Sequence, residues 1–358
     1  MRIAIFHDYI GAIGGGEKLV LILARELKAD IITTDIDVDS VRKMGFEDIN
    51  IISLGETVKL PPLKQISASI KFALCDFSEI YDFFIFSGNW APFAAKKHKP
   101  NLYYCHTPVR AFYDLYESFY NRQSIFIKPL FVTWVTIHRP ISEYYIKYIE
   151  RIVVNSKNTQ SRINKYLHRD AEIIYPPIDT SKYRFEKNGD FWLSVNRLYP
   201  EKRVELQIDA FRSMPNEKLI IVGCYAKGDH AAKYIEKIKN NIPKNVKIRR
   251  SIGEKELIDL YANCKGLITT AIDEDFVMTP VEAMASGKPV ICVEEGGYLE
   301  SVIDRVTGMY IKPNKKDLVH MVNIMSNNPE KYRDACREQA IKFDKSIFIK
   351  NIRHIIEN

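Results

Sequence analysis

Short apolar runs alternate along this chain with stretches in which apolar residues recur every three or four positions. The runs read as strands buried on both faces, and the intervening stretches as helices packed against them. In the first half, strands are expected at residues 2–6, 31–34, 83–87, 102–105 and 152–155, with an amphipathic helix at 19–27. A further apolar run at 173–174 meets Pro176 and Pro177, which stop regular structure, and residues 182–190 are polar and charged as a linker would be. The alternation then restarts, with strands expected at 191–196, 218–223, 246–249, 265–270 and 290–293, a helix from Val204, and an amphipathic helix at 345–356. Strands alternating with helices predict an α/β protein built on parallel, doubly wound sheets. Two such domains are expected, residues 1–180 and 181–344, with ligands beyond the carboxyl ends of the strands.

Composition agrees with that class. The 358 residues exceed what one core usually serves, and 46% hydrophobic with 27% charged residues is ordinary for a globular protein. The net charge of +7 comes with no basic arm and no acidic tail, which argues against a nucleic-acid partner. Six cysteines stand far apart without a C-x-x-C pair, so free, buried thiols in a reducing cytoplasm are expected rather than disulfides or zinc. No apolar run reaches the roughly 18 to 20 residues that a spanning helix needs. Residues 112–148 are aromatic and basic, and residues 59–74 carry the same ambiguity. Both stretches read either as helix core or as a surface for peripheral contact with a membrane.

Candidate chemistry gathers where strands end. Asp273-Glu274-Asp275-Phe276-Val277-Met278-Thr279-Pro280-Val281-Glu282 follows a strand and enters a helix, so backbone N–H groups and the positive end of a helix dipole face the loop. Thr279 is expected to cap that helix and Pro280 to open it. Glu282 then has two readings, a carboxylate addressing a ribose diol or the far half of a capping box with Thr279. Arg197 and Lys202, five apart after the first strand of the second domain, are placed to neutralise a diphosphate or to form a solvated basic loop. In the first domain Gly14-Gly15-Gly16 follows a strand and precedes a helix. It is either a tight turn or a loop bringing amides near an anion, and it is neither G-x-G-x-x-G nor a Walker motif. His106 and Arg110 follow a strand in His-Thr-Pro-Val-Arg and face a cleft or serve structure. No cluster of His, Asp and Glu has metal-ligand spacing, so no metal is expected.

Glu274 and Glu282 have the E-x7-E spacing of the retaining, nucleotide-sugar-dependent glycosyltransferases of family 4, and residues 283–291, Ala-Met-Ala-Ser-Gly-Lys-Pro-Val-Ile, continue as that family does. The resemblance implies the GT-B fold, two Rossmann-like domains facing a cleft, with the C-terminal helix, residues 345–358, returning to the first domain. It implies that Glu274 contacts the donor sugar and Glu282 the nucleotide ribose, that Arg197 and Lys202 bind the donor diphosphate, and that Phe276, Val277 and Met278 line the donor loop. Gly15 and Gly16 would lie between donor phosphates and acceptor, with Arg110 on the acceptor side. His-Thr-Pro-x-Arg resembles mannosyltransferase-like members, whose histidine reaches the donor sugar, and so points His106 to catalysis and the donor to GDP-mannose. The acceptor implied is a glycan or lipid-linked sugar. The chain departs from the family at Val277, where glycine is usual. Asp273-Glu274-Asp275 could suggest the D-x-D metal site of the other large glycosyltransferase fold, but Glu274 belongs to the E-x7-E pair, and no cofactor is expected beyond the nucleotide-sugar co-substrate. A nucleotide-sugar epimerase of the same fold and a non-catalytic binding subunit are the alternatives from other classes.

Overall fold

A computed structural model of the chain describes all residues except 12, 13, 224–233, 235, 237, 239–241 and 251, and the side chain of Lys43. The chain divides into two compact units, Met1–Tyr175 with Phe348–Asn358, and Pro176–Ile347.

The first unit holds a seven-stranded sheet: β1 Ile3–His7, β2 Asp30–Thr33, β3 Ile51–Ser53, β4 Phe83–Ser87, β5 Asn101–Cys105, β6 Arg151–Val154 and β7 Glu172–Ile173. Its spatial order is β3-β2-β1-β4-β5-β6-β7, and every pairing is parallel. Because side chains alternate across the pleat, Ile3 and Ile5 of β1 enter one apolar cluster while Ala4 and Phe6 enter another on the opposite face. Both faces are thus buried, which is why these strands read as unbroken apolar runs.

The second unit holds β8 Phe191–Val195, β9 Lys218–Val222, β10 Val246–Arg249, β11 Leu267–Thr269, β12 Val290–Val293 and β13 Gly308–Ile311. The order is β10-β9-β8-β11-β12-β13, again parallel throughout. In both sheets the strand order reverses beside the first strand, between β1 and β4 and between β8 and β11. Crevices for ligands open at such switch points, beyond the carboxyl ends. The short strands β3 and β13 were not expected from the sequence. β3 is three residues long and partly exposed, and β13 carries Gly308, whose missing Cβ admits the Val290 carbonyl, which an added Cβ would meet at 2.0 Å.

The terminal helix Lys345–Glu357 runs across the division between the units. Its Phe348, Ile349, Ile352, Ile355 and Ile356 enter the β1-side cluster of the first unit. The Tyr104 ring meets Phe348 edge-on at 5.7 Å, and Arg151 donates to the Ile355 carbonyl at 2.9 Å. Among the described cysteines, Cys105, Cys264, Cys292 and Cys336 are buried free thiols and Cys75 is a partly exposed one. Cys224 lies outside the described residues. No helix among the described residues is long and apolar enough to cross a membrane.

Candidate active site

In the second unit, the loops after β8, β11 and β12 converge beside the switch point. The loop after β8 contains the turn Pro200–Lys202, and Lys202 Nζ lies 2.5 Å from Glu274 Oε1, a residue 72 positions later. Both side chains keep about a fifth to a quarter of their surface exposed, at 21% and 24%. The backbone brings them together: the Thr270 hydroxyl, just past β11, donates to the Lys202 carbonyl at 2.8 Å, and Ile272 N–H donates to the Glu201 carbonyl at 2.8 Å. Arg203, next in the chain, pairs with Glu295 at 3.0 Å, and the other oxygen of Glu295 accepts from the Asp273 N–H at 3.3 Å. Arg197 is exposed at the end of the β8 strand.

Two glycines hold the Glu274 loop in place. Gly297 N–H donates to the Glu274 carbonyl at 2.8 Å. A Cβ on Gly296, where φ is +54°, would stand 2.5 Å from the Glu274 carbonyl oxygen, and one on Gly297 would stand 2.4 Å from that of Asp275. The loop after β12 therefore packs backbone to backbone against the loop after β11, which only residues without side chains permit.

The helix entered by this loop is Met278–Ala285, with Val277 as its N-cap. This corrects the expected start at Pro280 with a Thr279 cap. Thr279 sits inside the first turn, its hydroxyl is buried, and it has no hydrogen-bond partner among the described residues. Pro280 is tolerated there because first-turn N–H groups have no intrahelical acceptor to lose. The capping-box reading of Glu282 fails with it. Glu282 instead accepts from the hydroxyl of Tyr261 at 2.8 Å, and Tyr183 faces the same carboxylate with its ring 5.9 Å from that of Tyr261. Burial, and then the Glu282 charge, push both phenols well above their ordinary range, so both stay protonated. Neither tyrosine stood out in the sequence: Tyr183 lies in the polar linker and Tyr261 on an amphipathic helix. Phe276 packs against Phe343 at 5.6 Å, Met278 opens the helix, and Val277 has φ −109° and ψ 118°, an extended conformation that needs no glycine.

In the first unit, the helix Gly15–Leu27 begins beyond β1 with Gly14 as an extended N-cap and no side-chain cap, and the Gly15 and Gly16 backbone forms its partly exposed first turn. A Cβ on Gly16 would stand 3.8 Å from the His106 ring. His106 Nε2 shares a hydrogen bond of 2.9 Å with Ser87 at the end of β4, and Asn155 holds its carbonyl at 2.8 Å. Burial lowers its pKa to about 4, leaving a neutral imidazole that can hydrogen-bond but carries no charge at pH 7. Asp8, after β1, accepts from the N–H groups of Asn89, Trp90 and Ala91 at 2.7 to 2.8 Å, so it anchors the loop after β4. Burial nonetheless raises its pKa to about 6. Arg110 donates to Asp114 at 2.9 and 2.6 Å, and Arg162 approaches the same carboxylate at 3.6 Å. A cavity of about 590 Å³ opens nearby, lined by Phe112, Tyr113, Tyr116, Arg139 and Tyr166 among others.

The sequence model described as "Glycosyl transferases group 1" matches residues 177–343, nearly the whole second unit with its paired carboxylates. Over those residues the chain is a group 1 glycosyltransferase. It is 26% identical over 303 residues to alpha-1,3/1,6-mannosyltransferase ALG2 of Dictyostelium discoideum, covering 72% of this chain and 70% of that one. To ALG2 of Candida glabrata it is 25% identical over 421 residues, covering 96% and 89%. Among solved structures it resembles Anabaena HepE in complex with UDP-glucose, with a TM-score of 0.79 at 18% identity over the full length of both chains. It also resembles the sucrose-phosphate synthase of Thermosynechococcus elongatus, with a TM-score of 0.80 at 15% identity, covering 100% and 98%. The fold is GT-B, and the enzyme class is that of a hexosyltransferase. In this glycosyltransferase Arg197, Lys202, Glu274, Phe276 and Val277 lie between strand and helix after β8 and β11, while Met278 and Glu282 belong to the helix that follows β11. In the first unit His106 follows β5 directly, Gly15 and Gly16 open the helix beyond β1, and Arg110 lies in a 3-10 turn.

Proposed function

We propose that this glycosyltransferase moves mannose from GDP-mannose to a glycan or lipid-linked acceptor with retention of anomeric configuration, in a cytoplasmic compartment. The observation that carries the donor site is the Lys202–Glu274 pair at the switch point of the second sheet, with Glu282 on the next helix turned to two tyrosines. In this reading Arg197 and Lys202 meet the diphosphate, and Lys202 exchanges Glu274 for phosphate when donor binds. Glu274 is thereby released to the sugar hydroxyls. Glu282, held by Tyr261, accepts from the ribose diol, and residues 276–278 shape the donor loop. Gly15 and Gly16 present first-turn amides towards phosphate and acceptor, the neutral His106 hydrogen-bonds the sugar, and Arg110 borders the acceptor.

The acceptor oxygen attacks the anomeric carbon on the face the leaving group departs from. The bond to the diphosphate breaks as the new glycosidic bond forms, and the leaving phosphate takes the acceptor's proton. Catalysis rests on stabilising charge growing on the diphosphate, where one preorganised donor is worth roughly 10²- to 10³-fold in rate. Arg197 and Lys202 supply that charge in place of a divalent ion.

Mannose as the sugar is supported by the names of the ALG2 relatives and by His106-Thr107-Pro108-Val109-Arg110, whereas the HepE complex holds UDP-glucose and favours a uridine donor as the second reading. A thermal-shift panel of nucleotide sugars with and without EDTA separates them. GDP-mannose is expected to raise the melting temperature most, by the equivalent of about 2.7 kcal/mol at 100 times its dissociation constant. A larger shift with UDP-glucose overturns the guanine reading.

A further inference from the structure

Two helices of the first unit turn apolar faces to solvent. On Lys128–Ile146, Phe131, Val135, His138 and Ile146 are buried, while Leu130, Ile137, Ile141 and Tyr144 line the other side of the helix and are exposed. On Leu63–Leu74, Ala68, Ser69 and Phe72 are buried, while Leu63, Ile70 and Leu74 are exposed. The helices are neighbours, since Ser69 and His138 share a hydrogen bond of 3.1 Å. The turn that enters the longer helix projects Ile125 and Phe126, which are 74% and 90% exposed. Bare residues of this size, gathered on adjacent elements, exceed the scattered apolar exposure of an ordinary surface.

The charge around them is one-sided. Residues 59–75 and 121–148 carry seven lysines and arginines against Glu143 alone, a net +6 in a chain whose total is +7. Between these segments Lys96 and Lys97 add positive charge, while Lys99 is paired with Glu150 at 3.4 Å, and the Lys96 ammonium lies 5.9 Å from the exposed Tyr144 ring. Apolar side chains, a tyrosine and a basic surround match the layers of an anionic lipid surface: acyl chains, interface and phosphate headgroups.

We propose that the first unit docks on an anionic lipid bilayer through the Leu63–Leu74 and Lys128–Ile146 helices, with Ile125 and Phe126 inserted and the lysines against headgroup phosphates. The occupant is a membrane rather than a second copy of this chain, because net positive charge repels the same face and is complementary to an anionic lipid surface. The proposal goes beyond the transfer reading and does not depend on it.

The test is flotation of the full chain, without donor or acceptor, with vesicles of phosphatidylcholine alone or with a third of phosphatidylglycerol. Binding is expected to the anionic vesicles, to weaken with salt, and to be much poorer to neutral ones. Phe126→Ser with Ile125→Ser should abolish flotation at unchanged melting temperature, because neither side chain is buried. Lys97→Glu and Lys147→Glu should each weaken binding to anionic vesicles by at least about fivefold. Absence of flotation, equal flotation with both vesicles, or a dimer in solution that the Phe126 variant dissolves overturns the proposal. None of these outcomes touches turnover of a soluble acceptor, which tests the transfer reading separately.

Discussion

Glu274 and Glu282 are both carboxylates on one loop-and-helix segment, yet their partners set them apart. Glu282 accepts from Tyr261 in a part-buried setting, so Glu282→Gln should weaken free GDP and intact donor alike, by about 1.5 to 3 kcal/mol for a charged hydrogen bond. Glu274 pairs with Lys202, so Glu274→Gln should leave GDP affinity nearly unchanged while cutting turnover of GDP-mannose. Calorimetric titration of GDP into both variants, with melting temperatures alongside, checks this. Parental affinity in both refutes the ribose assignment. Four imidazoles set a pH dependence, His98 among them, its pKa lowered by burial. Burial lowers His7 to about 3 and His106 and His138 to about 4, against about 6.5 when unfolded. Between pH 6.5 and 4 the unfolded chain binds more protons at these sites, so stability falls as pH drops through that window. Asp8, raised to about 6, opposes them with one carboxyl between about pH 6 and 4. The urea midpoint should therefore be lower at pH 5 than at pH 7, and the difference should narrow in His106→Gln. An unchanged gap would mean His106 is protonated in the folded protein.

Among the elements, the first turn of Gly15–Leu27 offers a clean separation of structure from ligand approach. Gly16 has no left-handed backbone angle, and an added Cβ would meet the His106 ring at an ordinary 3.8 Å. The protein alone thus accepts alanine there, and relief of glycine's chain entropy should raise stability by about 0.4 to 1 kcal/mol. If donor phosphate or acceptor approaches that backbone, Gly16→Ala lowers kcat/KM while the melting temperature holds or rises. Equal activity returns the loop to a plain turn. Gly296 is the opposite case. Its φ of +54° and the Glu274 carbonyl in its path make any side chain costly to the fold itself, so loss of activity there would say nothing about ligand.

For the whole molecule, the terminal helix is part of the first unit's core despite its place in the chain. Phe348, Ile349, Ile352, Ile355 and Ile356 are each buried against the β1 side of the first sheet. At about 1.5 to 3 kcal/mol for each large apolar side chain buried, their joint removal approaches the entire stability of an ordinary domain. A chain ending at Ile347 is expected to lose the cooperative unfolding of the first unit while the second still melts as a unit. Differential scanning calorimetry distinguishes this from uniform weakening of both. The distribution of charge is likewise a property of the molecule. Each half of the sequence carries a small positive excess, yet the fold collects the basic residues of 59–75 and 121–148 around one apolar face.

The sequence by itself determined the alternation of strands and helices, the two doubly wound units and the spacing of Glu274 and Glu282. Each of these depends on periodicity or on neighbours a few residues away. What only the tertiary structure decided depends on partners far along the chain. Lys202 finds Glu274 across 72 positions because β8 and β11 are neighbours, an order that local pattern does not encode. Thr279, Pro280 and Glu282 read locally as the start of a helix with its capping box. The helix begins two residues earlier, at Met278, and Glu282 accepts from Tyr261, 21 positions upstream and wholly buried, instead of closing a capping box. The aromatic, basic stretch of residues 112–148 stayed ambiguous for the same reason. Periodicity shows that one side of a helix is apolar, and only packing shows that the Lys128–Ile146 helix, with Phe131 and Val135 already inside, has a second apolar side left facing water.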